Sequence, residues 1–149
     1  MKKLAILIFF ALSALSPVYS QVTQATIGVD GFTCSLCAKG VEEEFRSMDF
    51  VKSVKADLKK ATFTITFKKG SKIDINRLKD GVTDGGFSVR DIVIKAEGTF
   101  QNNFLITGNT PDLTLRNIGE DYANGDKISI SGNVSLSDNT IKVKQAKKI

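Results

Sequence analysis

Ala25-Thr26-Ile27-Gly28-Val29-Asp30-Gly31-Phe32-Thr33-Cys34-Ser35-Leu36-Cys37-Ala38 is the stretch in which the hydrophobic period changes. Apolar residues at 25, 27 and 29 alternate as in a half-buried strand, and Gly31 breaks the alternation. From Cys37 onward the apolar positions become 37, 41, 45 and 48, which is one face of a helix. Lys39, Glu42, Glu43 and Arg46 then point elsewhere. The only two cysteines of the chain lie in the connection between these elements, with Cys37 expected at the helix start.

Working outward, Val51, Val54, Ala56 and Leu58 suggest a second strand, and Lys59-Lys60 a turn. Ala61, Phe63, Ile65 and Phe67 interleaved with Thr62, Thr64 and Thr66 make the cleanest alternation in the chain. Asp74 is placed to cap a second helix that buries Ile75, Leu78 and Val82. Asp84-Gly85-Gly86 stops it, and Phe87-Ser88-Val89 opens a last strand. Strand, helix, strand, strand, helix, strand is the ferredoxin-like βαββαβ order. Both helices are expected on one face of a four-stranded antiparallel sheet.

Beyond Ile92 the pattern holds no convincing helix. Turn signals at 101–103, 108–109, 124–126, 132–133 and 138–139 separate short runs at 104–106, 113–115, 128–130 and 141–143. Such spacing implies a small all-β unit, and the run at 125–134 resembles a strand of an OB-like barrel. The fold class expected is therefore α+β, a ferredoxin-like domain at 21–94 followed by a small β-rich domain at 95–149. The segment from Ile94 to Gly98 could instead be one continuous strand.

Residues 1–20 read as a secretory signal peptide: Lys2 and Lys3, then an apolar run from Leu4 to Leu15, then Val18-Tyr19-Ser20 before the cut. The expectation is a periplasmic or secreted protein with no stable membrane insertion after cleavage. Loss of Lys2 and Lys3 lowers the formal charge from +5 to +3. The remaining lysines are scattered along the sequence with no aromatic interleaving, so nucleic acid is not an expected partner. There is no histidine, no carboxylate pair and no phosphate-binding glycine loop, so acid–base catalysis is not expected.

The cysteine pair leaves three readings open: a metal clamp, a redox dithiol, or an inert staple. Two thiolates without histidine cannot complete a structural zinc site, and an iron–sulfur cluster needs about four cysteines. A soft ion that tolerates low coordination suits the pair, Cu(I) first, with Ag(I) or Hg(II) as similar guests. Met48 and Phe87 read as core residues.

Three stretches carry a family resemblance. Gly31-Phe32-Thr33-Cys34-Ser35-Leu36-Cys37 is similar to the Gly-Met-Thr-Cys-x-x-Cys loop of heavy-metal-associated domains, with Phe32 in place of methionine. Val51 to Asp57 resembles that family's second strand, and Asp84 to Val89 the approach to its last. Copper chaperones, metal-pump N-terminal domains and the periplasmic mercury-binding protein share this domain. The resemblance implies that Cys34 and Cys37 are the metal ligands and that Phe87 packs beside the loop. It also implies a metal-transfer partner such as a metal pump.

Overall fold

A computed structural model describes residues 20–31 and 34–149. The signal-peptide segment up to Tyr19, and with it Phe32 and Thr33 of the loop, lies outside the described residues. Among the described residues, no helix is long and apolar enough to cross a membrane.

The first half follows the expected order. Strand β1 (Gln21–Asp30) leads to helix α1 (Ser35–Ser47), then β2 (Val51–Asp57), β3 (Thr62–Phe67), helix α2 (Ile75–Thr83) and β4 (Ser88–Gln101). The sheet order β2-β3-β1-β4 is antiparallel at every pairing, as in a ferredoxin-like domain. Ala38, Val41 and Phe45 of α1 are buried, as are Leu78 and Val82 of α2. They meet Phe63, Ile65, Ile27 and Ile92 of the sheet in one cluster, with the rings of Phe45 and Phe63 edge to face at 5.4 Å. Met48 is core, as its helical spacing requires.

Local chemistry sets the ends of these elements. The Asp74 carboxylate accepts from the N–H groups of Asn76 and Arg77, which is the expected cap on α2. Leu58 departs from the sequence reading. The strand stops at Asp57, whose carboxylate accepts from the backbone N–H groups of Lys59 and Lys60 and closes the turn there. Leu58 is left exposed on that turn.

The second half is built on the same sheet. β4 runs unbroken through the expected domain boundary at 94/95, burying Ile92, Ile94, Ala96 and Phe100 on one side. Asn102 and Asn103, both with positive φ, form the two-residue turn to β5 (Phe104–Ile106). β6 (Leu113–Arg116), β7 (Lys127–Ser135) and β8 (Thr140–Lys148) follow. β4 pairs with β5, β5 with β6, β6 in parallel with β8, β8 with β7, and β7 with β4 again. That circuit closes the five strands into a barrel. Leu105, Leu113, Leu115, Ile128, Ile130 and Ile141 fill it, continuous with the ferredoxin-like core.

Gly132-Asn133 is not the turn its composition suggests. Both residues lie inside β7, at a bulge where β8 carries an extra residue. A Cβ on Gly132 would come 2.5 Å from the Lys142 carbonyl oxygen, so the glycine serves the close approach of two strands. Gly108-Asn109 is more than a turn as well. The buried Asn109 side chain accepts from the Val22 N–H at 2.8 Å and donates to the Val22 carbonyl at 3.1 Å. Its own carbonyl accepts from the Ile73 N–H. One amide thus takes the place of a strand beside β1 and ties the β5–β6 loop to the ferredoxin-like half.

Candidate metal centre

The cysteines sit where β1 gives way to α1, at the end of the sheet away from the barrel. β1 exits at Asp30 beside Ser88, where β4 enters, whereas its first residue Gln21 lies opposite Glu97 near the barrel. Gly31 makes the turn out of the strand at φ +97°, a conformation that costs a residue with a Cβ about 1–2 kcal/mol. A Cβ there would lie 3.4 Å from Phe87 Cδ1, so the Phe87 ring flanks the loop. It is partly buried against the core, in the place the family resemblance implies.

The helix begins at Ser35, which makes Cys34 the N-cap and Cys37 the third helical residue. Cys34 has extended backbone, and its Sγ accepts from the Cys37 N–H at 3.2 Å. Apolar spacing alone places Cys37 at the helix start. The cap geometry gives the larger share of the helix-start benefit to Cys34, whose sulfur takes the place of the oxygen acceptor of an ordinary cap. A thiolate there is stabilised by the N–H groups and dipole of the first turn. Cys34 is exposed and Cys37 half-buried, so the pair opens to solvent on one side.

The two sulfurs are joined as a disulfide, with the Cα atoms 5.4 Å apart. A chain held at that separation by a helical turn accepts a closed pair without moving the backbone. Between the cysteines, Leu36 is 79% exposed, a large apolar side chain with no place in the core.

The charges where β1 exits are engaged with one another. Asp30 pairs with Arg90 at 3.3 Å, and Arg90 also reaches Asp91 at 3.4 Å and the Lys60 carbonyl at 3.2 Å. Arg90 therefore laces together β1, β4 and the β2–β3 turn rather than serving the sulfurs. These exposed pairs contribute little stability individually. Among the described residues, no group of three or more histidine, cysteine, aspartate or glutamate side chains could hold a metal ion.

Residues 26–88 match the model of the heavy-metal-associated domain. A copper chaperone, CopZ, of Staphylococcus aureus is 26% identical over 68 residues, covering 46% of this chain and 98% of the relative. Among solved structures, a copper transporter domain from yeast, determined in apo and Cu(I)-loaded states, is 21% identical with a TM-score of 0.41. That alignment covers 45% of this chain and 90% of the yeast domain. A CopZ metallochaperone structure is 25% identical with a TM-score of 0.42, covering 45% of this chain and 98% of its own. The two cysteines and the ferredoxin-like order fall on the same segment, residues 26–88, that matches the heavy-metal-associated domain model and is similar to a copper chaperone.

Proposed function

We propose that the reduced Cys34–Cys37 pair binds one soft metal ion, Cu(I) in the first place, and passes it to a protein partner. The observation that carries this reading is the position of the two sulfurs at the N-cap and first turn of α1, open to solvent on one side, within a segment similar to copper chaperones. Thiolates are soft ligands, and two of them suit an ion content with low coordination, so Ag(I) and Hg(II) would compete. Exposure on one side lets an incoming thiol from a partner, such as a metal pump, share and then take the ion. Leu36 offers that partner an apolar contact beside the sulfurs. This is binding and transfer rather than catalysis.

The chain would work outside the cytoplasm, on the strength of the signal-peptide pattern at 1–20. It would do so as two functional units, 21–94 and 95–149, that share β4. The order β4-β5-β6-β8-β7, closed back on β4 with β6 and β8 parallel, supports an OB-type barrel for the second unit.

A second reading is favoured by the disulfide itself: the pair could cycle between dithiol and disulfide. Both readings share one requirement, since the oxidised pair has no thiolate to offer. In an anaerobic competition titration against a Cu(I) chelator, the reduced protein should take up one equivalent and the oxidised protein none. Equal uptake by both forms would overturn the metal reading. No uptake by either, with rapid exchange against small thiols, would favour the redox one.

A further inference from the structure

The outer wall of the barrel gathers cations that stand far apart in the sequence. Lys95 on β4 and Lys144 and Lys147 on β8 border an open cleft of about 590 Å³ on the face formed by β4, β7 and β8. Ser129, Ser131 and Gln145 also line it. The strand register explains the grouping: Lys95 lies opposite Ser131, Ser131 opposite Gln145, and Ser129 opposite Lys147. The extra residue at the β8 bulge falls at Lys144, so that Lys144 and Gln145 are both exposed where strict alternation would turn one of them inward.

Among the described residues these lysines form no ion pair. The pairs there use Arg46, Arg77, Arg90 and Lys148, and none involves Lys95, Lys144 or Lys147. Lys148 shows the contrast: its Nζ lies 2.9 Å from the Asp126 carboxylate. Glu97 is the carboxylate nearest by register, opposite Ser129, but it does not line the cleft. Three ammonium groups of one sign around one concavity focus a positive potential there.

We propose that this cleft is an anion site that takes a ligand with two or more adjacent phosphate groups. A single phosphate on an exposed lysine gains little. Several negative charges spaced across the cleft would meet all three lysines at once. The Ser129 and Ser131 hydroxyls and the Gln145 amide can donate to oxygens the lysines leave unfilled. The site lies on the barrel side of the sheet, so it would hold such a ligand while the cysteine loop stays open.

Titration of the full folded chain with tripolyphosphate, followed by calorimetry at low salt, tests this. One saturable event is expected, weakening as salt rises. Lys95→Gln and Lys144→Gln should each weaken it about tenfold. Lys59→Gln with Lys60→Gln, which alters net charge at the far end of the sheet, should leave it unchanged. Vesicles rich in phosphatidic acid, whose neighbouring headgroups present adjacent phosphates, beside neutral vesicles, separate the sources: capture by the former alone assigns lipid headgroups, and tripolyphosphate binding without capture assigns a soluble ligand. The absence of any saturable event, or equal weakening by the Lys59 and Lys60 changes, would overturn the site.

Discussion

Replacing both sulfurs, as Cys34→Ser with Cys37→Ser, is expected to weaken Cu(I) binding by more than about a thousandfold, because hydroxyls are hard, neutral ligands for a soft ion. The fold should survive. Serine is a better N-cap than cysteine, so the bond from the Cys37 N–H to residue 34 keeps an acceptor. The disulfide closes a loop only three residues apart in sequence, so its loss releases little chain entropy. Unchanged circular dichroism alongside lost binding would assign the ion to the two sulfurs. Unchanged affinity would mean that the ion sits elsewhere.

The ferredoxin-like half was legible because each element has its own period. Thr62 to Phe67 alternates cleanly and is a strand with Phe63, Ile65 and Phe67 inward. Asp74 caps the helix it precedes. The short runs after Ile92 were legible as strands for the same reason. What local pattern could not show is how those strands join. The alternation Ile92, Ile94, Ala96, Gly98, Phe100 belongs to both halves, and only the pairing of β4 with β1 on one edge and β7 on the other reveals the sharing. Gly132-Asn133 read as a turn because glycine and asparagine favour turns, but the nearness of Lys142 across the bulge requires the glycine. Asn109 gave no signal as a buried bracket, since its partner Val22 is 87 residues away.

The passage from strand to helix around the cysteines was legible in the change of period, except for the helix cap. Helical spacing starts at Cys37, the first apolar position. The helix itself starts two residues earlier at Ser35, because the N-cap is set by backbone geometry and a side-chain acceptor rather than by apolar period. The lysines of the barrel cleft looked scattered because β4 and β8 are far apart in sequence. Register alone assembles them.

The shared strand has an energetic consequence. Phe45→Ala should cost about 3–5 kcal/mol, the usual loss for emptying a fully buried aromatic site. Phe45 is wholly buried and meets Phe63 edge to face, so both the cavity and the ring contact are lost. Total stability of a domain this size is about 5–15 kcal/mol, so the variant should remain folded but unfold at much lower urea. Because β4 and a continuous apolar cluster join the halves, the barrel should unfold with the helices. Tyr122, which packs on Phe100 at 6.2 Å, reports the barrel by fluorescence, while far-ultraviolet circular dichroism reports the helices. Both transitions should shift together. A Tyr122 transition that stays at its original midpoint would show two independent units instead.

A single soft ion is expected to rest on the sulfurs of Cys34 and Cys37. Adding Cu(I) to the reduced, ¹⁵N-labelled protein without oxygen and following the amide resonances tests this. Shifts should be confined to Gly31, to the first turn of α1 and to the neighbourhood of Phe87, and should stop at one equivalent. Shifts centred on the barrel, or changes that continue well past one equivalent with the loop unaffected, would contradict it.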